Sequence, residues 1–413
     1  MYKQITKNTS WENISRAEYG TTSRVNDLIK LNNGKDIGEV IIYKDNTNKQ
    51  NKQNKQNKSD IENKNINNNS EIHIEINNSE IKEFISIELL ESITTIKSVI
   101  LHLHRIDDIK IFDNCNIYYG NNKNTNNLFL KGYIKNIIPT LNAENNSYIL
   151  QIKSFAGILV DSIVPQELEF INSNLKDIVE QICSVYNIKI SFNQNNISDK
   201  GIIEYKINNE INNSVSAKLN ETAWSFITRL CNSRGLLVQD LGDGTIHIGS
   251  VDKNKNSKYS FILGETTIYN WLPIYNYDNL ARYYEIYSQF NTNSKELITL
   301  ETIKLPITKR IINNEINEGI LQEYGKWIVC REIGKAIKVQ IDININTNTN
   351  TDKNLNNLNI GDIVGIQNKL IGFKEETEML IENKIVNYPH KITLILTLPC
   401  AYNGVIPNEL PFI

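Results

Sequence analysis

Residues 220–249 read NETAWSFITRLCNSRGLLVQDLGDGTIHIG, and this stretch decides how the rest of the chain is interpreted. Its apolar residues recur first at helical spacing and then as two short runs around a turn, which predicts a helix followed by a hairpin. Asn220 is a plausible N-cap, and Gly235 ends the helix. Gly242 and Gly244 can take the positive φ angles that the turn requires. The predicted buried stripe of the helix comprises Ala223, Phe226, Ile227 and Leu230.

The preceding segment repeats this scheme. One helical face carries Leu175, Ile178, Val179 and Ile182, and a strand is predicted at 188–192. Together the two units predict a small α+β domain over residues 167–252. We interpret the helix–hairpin unit as a packing module with Trp224 and Arg229 on its flanks.

The regions on either side of this domain read mainly as strands. Residues 71–166 contain short apolar or alternating runs separated by Asn-rich turns, which favours an antiparallel barrel or sandwich. Residues 253–413 read in the same way, with a helix predicted at about 314–334. The predicted fold class is therefore mainly β with α+β: two antiparallel β-barrel domains, 71–166 and 253–413, with the α+β domain between them.

The N-terminal part has a different organisation. Residues 1–43 predict a compact strand–helix–helix–strand (βααβ) module. Residues 44–70 are rich in Asn, Lys and Gln and almost free of apolar side chains, so they are predicted to be a flexible linker. A second polar tract at 344–359 is predicted to be a long surface loop.

Composition excludes several classes of function. The formal charge of −3 in 413 residues gives no general attraction to nucleic acid, so no nucleic-acid specificity is expected. Five widely spaced cysteines without a CxxC pair indicate neither a disulfide framework nor a zinc knuckle. No apolar run approaches the ~18 residues of a membrane span, and the N-terminus lacks a secretory apolar region. A soluble, unexported chain is predicted.

Three patterns were considered for chemistry and given structural interpretations. His102 and His104 share a strand face at a spacing that some zinc sites use, but no further ligand has a fixed spacing to them. Cys231 lies near Arg229 and Arg234, which could lower a thiol pKa, but half-burial and an inert thiol are the preferred interpretation. The aromatic run at 269–290 predicts a sheet wall with subunit-facing tyrosines in preference to a stacking platform. Catalytic, cofactor-binding and metal sites are all predicted to be absent.

The first 43 residues resemble LysM and the related tail protein X modules. The resemblance implies binding to the N-acetylglucosamine backbone of peptidoglycan, or docking alone. It departs from the usual pattern because a closing Pro is missing and Lys7 and Asn8 replace a Gly–Asp pair. The residues that carry the motif are Trp11, Ile14, Tyr19, Gly20, Leu28 and Asn32, with Thr6 and Ser10 beside them.

Four stretches in order resemble the baseplate hub proteins of contractile phage tails, a group that includes the late control protein D family, Mu-like hubs and the matching half of type VI secretion spike proteins. They lie at 128–165, 221–249, 358–366 and 391–402. The helix–hairpin unit is the clearest signature, and its motif residues are Trp224, Phe226, Arg229, Gly235 and Gly244.

This resemblance implies a structural protein without cofactors. It implies a homotrimer whose barrels form a pseudo-hexameric ring, with the tail tube protein, the central spike protein and other baseplate proteins as partners. The location implied is the baseplate of a virion or tail-like particle, assembled in the bacterial cytoplasm. One alternative is a peptidoglycan-binding cell-wall protein or lytic enzyme targeted by the LysM-like module. Another, a secretion effector carrier, is disfavoured because the sequence ends soon after the last predicted strand.

Overall fold

The structure is a computed structural model that falls into two compact units, Met1–Ser70 and Glu71–Ile413, which are described separately. It describes residues 2–4, 40–42 and 72–411, except for gaps at 107, 121–122, 124–126, 142–145, 166–167, 169, 193–211, 251–258, 265–267, 289–294, 314–320, 345–357 and 389–390.

In the first unit, strand β1 (Tyr2–Gln4) pairs antiparallel with strand β2 (Val40–Ile42). These are the positions predicted for the first and last strands of the βααβ module. The two predicted helices, all six LysM-like motif residues and the linker at 44–70 lie outside the described residues.

The second unit begins with seven strands, and in several of them burial alternates residue by residue, as Ile, Leu and Val alternate with polar residues in the sequence. In β6, for example, Val99, Leu101 and Leu103 are buried and the residues between them are partly exposed. These strands are β3 (Ile72–Ile76), β4 (Ser79–Ile81), β5 (Ser86–Ser92), β6 (Ser98–Leu103), β7 (Asn114–Tyr119), β8 (Leu128–Leu141) and β9 (Asn146–Ser154).

A small α+β layer follows, as the change of period predicts. Strand β14 lies in the centre of a three-stranded sheet, parallel to β11 and antiparallel to β13. The apolar stripes of α2 and α3 pack on it in a hydrophobic cluster of their own. The elements are α1 (Gly157–Asp161), β10 (Phe170–Ser173), α2 (Leu175–Val185), β11 (Lys189–Phe192), β12 (Asn212–Val215), α3 (Ala223–Asn232), β13 (Leu237–Asp240) and β14 (Thr245–Gly249).

The remaining elements return to strands and include the longest helix of the described part. Strands β17, β18 and β19 form a separate three-stranded sheet, whereas most of the others extend the large sheet. The elements are β15 (Ser260–Ile262), β16 (Ile268–Tyr275), β17 (Tyr283–Ser288), β18 (Lys295–Thr299), β19 (Thr308–Asn313), α4 (Leu321–Ala336), β20 (Ile337–Asn344), β21 (Ile363–Asn368), β22 (Phe373–Tyr388), β23 (Lys391–Thr397) and α5 (Cys400–Asn403).

The prediction of two closed barrels is not matched by the described residues. There, 13 strands form one open sheet in the order β16-β20-β23-β22-β5-β6-β9-β8-β7-β3-β4, with β21 and β15 attached through β22. The two strand groups are joined because the second half of β22 pairs antiparallel with β5, from Asn383↔Ser92 to Tyr388↔Ile87. Each strand group therefore pairs the backbone groups of an edge strand with the other group and does not close into a barrel of its own. The coarser prediction, a mainly β fold with a large antiparallel sheet and some helices, is confirmed.

Two local predictions also need correction. The N-cap of α3 is Thr222, whose hydroxyl accepts a hydrogen bond from the Ser225 amide at 3.2 Å. Asn220, the predicted cap, instead adopts a left-handed backbone with φ of 59° in the preceding turn. The helix predicted at about 314–334 is observed at Leu321–Ala336, and residues 314–320 are outside the described part. The division into domains at 71–166, 167–252 and 253–413 stays a prediction.

Candidate functional site

The helix–hairpin unit has the predicted core. Four side chains of the stripe, Ala223, Phe226, Ile227 and Leu230, are completely buried. The phenyl ring of Phe226 stacks on that of Phe170, with ring centroids 5.8 Å apart. The apolar face of α3 is therefore fully buried in the core, and only the flanks of this helix can contact other molecules.

Arg229 forms an ion pair with a residue just before the start of α3, the helix that carries it. Its Nε and NH2 donate to the two carboxylate oxygens of Glu221 at 2.8 and 2.7 Å, a bidentate pair. The guanidinium also lies 5.0 Å from the centre of the Phe226 ring. Burial acts to raise the pKa of Glu221, but the hydrogen bonds from Arg229 and the Lys218 amide outweigh it, so that this pKa lies below its usual value. The motif residue Arg229 is thus a structural clamp on one side of α3.

The hairpin turn is seated on the large sheet through Asp240. This buried carboxylate accepts hydrogen bonds from the amides of Lys97 and Gly242, both at 2.8 Å, and from the Ser154 hydroxyl. In return, the Gly242 carbonyl accepts from the Lys131 amide at 2.6 Å. Burial raises the pKa of Asp240 above its usual value, although these donors favour the ionised form. This junction couples the α+β layer to strands β8 and β9.

The two motif glycines 235 and 244 have positive φ angles, which was predicted for Gly244. Gly235 has φ of 66°, and a Cβ there would meet the Trp327 ring at 3.6 Å. Gly244 has φ of 91°, with Phe155 at 3.9 Å as its nearest neighbour. Both glycines are therefore required by backbone conformation.

Trp224 lies in a groove between the α+β layer and α4, which we call the Trp224 groove. Trp224 and Thr228 are one turn apart on α3, and Tyr324 and Ile328 are one turn apart on α4. Ile312 of β19 and other residues complete a cavity of about 580 Å³. Such an open, partly apolar groove is suited to contact another chain or a ligand.

A second cavity, of about 360 Å³, lies where β22 meets β5. The Lys384 ammonium is buried there and donates to the Leu358 carbonyl at 2.6 Å, while Lys97 and Glu91 form an ion pair at 2.7 Å. Burial lowers the pKa of Lys384 to about 8, an effect that Glu91 and Asp362 offset only in part. The ion pair and the hydrogen bond to Leu358 hold these groups in place, which makes the cavity a structural polar cluster at the seam.

The other candidate residues lie on β6, just beyond its end, and on α3. His102 is half-buried on β6 and His104 is exposed beyond its end. Within the ranges that the structure describes, no three His, Cys, Asp or Glu side chains are grouped as metal ligands. Cys231 is completely buried, more than the expected half, and burial raises its pKa to about 12 despite Arg234. No helix in the described part is long and apolar enough to cross a membrane.

The aromatic run at 269–290 is divided between two sheets. Tyr269 of β16 is 50% exposed on the edge strand of the large sheet, whereas Tyr284 of β17 is completely buried. A single stacking platform would need neighbouring exposed rings, and the two strands that carry these rings lie in separate sheets.

Sequence reasoning missed Asp240, Lys384 and the turn at Phe112, which is described below. A short-range signal existed for Asp240, since an Asp two residues before a turn glycine often accepts its amide. Its bonds to Lys97 and Ser154 join residues that are far apart in sequence and follow no local pattern.

Comparisons with known proteins agree with this geometry. Residues 156–250 match the family model of the second domain of gp44-like baseplate hub proteins. This range covers the α+β layer from helix α1 to the end of the hairpin. No curated protein sequence matches the chain.

Three solved structures share the fold over most of the chain. The 43 kDa tail protein of prophage MuSo2 from Shewanella oneidensis is 18% identical, with a TM-score of 0.66, and the match covers 80% of this chain and 99% of that one. A tail protein of Neisseria meningitidis MC58 is 15% identical, with a TM-score of 0.66 and coverages of 81% and 98%. Prophage tail protein gp18 of Listeria monocytogenes EGD-e is 13% identical, with a TM-score of 0.53 and coverages of 79% and 94%.

Proposed function

We propose that this chain is a structural baseplate hub protein of a contractile phage tail or a tail-like particle. The observation that carries the proposal is the match of residues 156–250 to a baseplate hub domain, set within a fold shared with two tail proteins over at least 80% of the chain. The match falls on the layer that the Asp240 junction seats on the large sheet. Hub identity and overall fold therefore point to the same function.

The specific form of the proposal is a homotrimer that joins the tail tube to the central spike in the baseplate. The sequence resemblance supports a ring of this kind, and the physics of closed rings adds a requirement for two different contact surfaces on each copy. The Trp224 groove offers one such surface. The protein is proposed to act by assembly alone, without breaking or forming bonds.

Light scattering on the purified full chain tests the trimer. The expected mass is three times the 47.4 kDa of one chain, alone or after addition of the spike protein of the same particle. Pull-downs with the tube and spike proteins of that particle test the partners. A chain that stays monomeric and retains neither protein would contradict the proposal.

The alternative, a peptidoglycan-binding or lytic protein, rests on the LysM-like motif at Trp11, Ile14, Tyr19, Gly20, Leu28 and Asn32. Sedimentation with purified peptidoglycan and zymography on cell-wall gels separate the possibilities. A hub whose N-terminal module also binds glycan would sediment without clearing the gel. Clearing would show hydrolysis and would favour the enzyme.

A further inference from the structure

Phe112 occupies a conformation that its side chain disfavours. It lies in a four-residue turn, 110–113, which we call the Phe112 turn and which is closed by a hydrogen bond from the Asp113 amide to the Lys110 carbonyl at 3.2 Å. At the third position of this turn Phe112 has φ of 72°, where glycine is usual and a bulky residue is an outlier. Its side chain is nevertheless 70% exposed. Neither folding nor solubility explains a strained, exposed phenylalanine at a glycine position, which suggests a contact with another molecule.

The turn is held firmly in place on the large sheet. The Phe112 amide donates to the Ile134 carbonyl at 2.8 Å, and the Ile134 amide donates to the Asp113 carbonyl at 3.0 Å. The Phe112 ring lies 6.3 Å from the ring of Tyr133, which in turn lies 6.2 Å from the ring of Phe155. An exposed aromatic side chain on such a rigid base loses little conformational entropy on binding, as is typical of an interface anchor.

The Trp224 groove has the chemistry to receive this side chain. The half-buried aromatic side chains of Trp224 and Tyr324 line it, and Ile312 at its edge is 62% exposed. The hydroxyl of Thr228 lies in the same wall, is buried, and has no hydrogen-bond partner within the described residues.

Charge and symmetry point to a second copy of this chain as the source of that turn. The segment before the Phe112 turn carries the exposed carboxylate of Asp108, and the groove is lined by the exposed Lys218, so opposite charges meet on the Asp108 side of the turn, away from the exposed Lys110 within it. The turn and the groove share no residue, and the groove is built from α3, α4 and β19 whereas the turn rests on β8. A contact between two different surfaces of identical chains is heterologous and closes into a ring when the rotation allows it.

We propose that the Phe112 turn of one copy inserts into the Trp224 groove of the next copy. This inference rests on the proposed trimeric hub and specifies the contact that closes its ring. It gives Phe112 the role of anchor and makes Trp224, the half-buried aromatic of the hub motif, part of the receiving surface.

The test uses two full-length variants, Phe112→Asp and Ile312→Asp, and light scattering over a range of concentrations. Each variant alone is expected to be monomeric or to associate at least about ten-fold more weakly than the wild type, because it carries a negative charge into an apolar contact. An equimolar mixture should form a dimer, because the intact turn of the Ile312→Asp chain meets the intact groove of the Phe112→Asp chain. The opposite contact would bring two aspartates together. Only a heterologous contact is expected to give a mixture whose association stops at the dimer.

Two further variants control for folding. Phe112→Gly removes the strained side chain and should associate as poorly as Phe112→Asp, yet melt at a higher temperature than the wild type when both are compared at a concentration at which the wild type is monomeric. Leu370→Asp changes a side chain that is 74% exposed elsewhere and should leave the trimer intact. Lower association together with higher thermal stability cannot be attributed to unfolding.

Each remaining outcome overturns a defined part of the proposal. A trimeric wild type whose Phe112 and Ile312 variants are also trimeric refutes this contact and leaves the proposed hub intact. Monomeric variants that do not form a dimer when mixed refute the pairing of turn and groove. A wild type that is monomeric at every concentration, with and without the spike protein, overturns the ring and the contact together.

Discussion

At the scale of single residues, the hairpin glycines show what a sequence can specify. Both Gly242 and Gly244 were predicted to have positive φ, and both do, at 86° and 91°. The sequence could not distinguish their surroundings. A Cβ at Gly242 would lie 2.3 Å from the Phe129 carbonyl oxygen, whereas a Cβ at Gly244 would make only ordinary contacts. The difference arises from β8, a strand more than 100 residues earlier in the chain.

This difference leads to a prediction within one turn. Gly244→Ala should lower the free energy of unfolding by about 1 kcal/mol, the cost of a left-handed alanine. Gly242→Ala should lower it by about 3 kcal/mol or more, because the turn must also move away from β8 and lose its hydrogen bond with Lys131. Urea denaturation of both variants measures the two values. Equal losses would mean that the turn is not seated on the sheet.

At the scale of elements, the sequence predicts helices and strands where the spacing of apolar residues that are neighbours in sequence is sufficient to identify them. The apolar stripe of α3 and the alternating burial of β6 follow directly from the order of residues. The cap of α3 was misplaced by two residues because Asn220, Glu221 and Thr222 all favour a helix start, and the choice depends on the bridge between Ile163 and Thr222. Strand β22 reads as a plain strand, and nothing local shows that its Lys384 is buried.

The buried Lys384 makes stability depend on pH in a defined direction. Its folded pKa of about 8 is below the ~10.4 of an unfolded lysine, so between these values the unfolded chain binds one more proton. The contribution of Lys384 to the free energy of unfolding therefore rises by about 1.4 kcal/mol per pH unit from pH 8 upward. Buried thiols such as Cys183, whose pKa burial raises to about 12, act in the opposite direction, so the wild type must be compared with a variant.

Lys384→Met is the variant that isolates this effect. The free energy of unfolding of Lys384→Met minus that of the wild type should be about 2–3 kcal/mol larger at pH 7 than at pH 10, because the wild type recovers as its lysine loses the proton. Denaturant titrations at several pH values provide the measurement. Leu370→Met, which changes a side chain that is 74% exposed and carries no proton, should give a constant difference. A constant difference for Lys384→Met would contradict burial of the charge.

At the scale of the whole molecule, the sequence predicted the strands but not their partners. Alternation identifies a strand and its buried face, whereas pairing across hundreds of residues leaves no local trace. The sequence therefore predicts that the two strand groups close separately. Instead, the backbones of β22 and β5 pair in the sheet, with Lys384 opposite Glu91, and this pairing joins the two groups. The core reflects this, because its main hydrophobic cluster contains residues such as Ile74 and Leu101 together with Val339 and Leu394.

The α+β layer, with its own hydrophobic cluster, is joined to this sheet by the Asp240 junction, so that one carboxylate couples two bodies. Asp240→Ala removes the acceptor of the Lys97 and Gly242 amides and of the Ser154 hydroxyl, which should cost about 3 kcal/mol. Calorimetry should then show the layer unfolding before the sheet, where the wild type unfolds in one transition. Asp243→Ala, in the same turn, removes only a bond to the Thr245 amide and should keep the single transition. If both variants unfold alike, the coupling lies elsewhere, in the apolar contacts around Trp327, and the carboxylate merely caps its own turn.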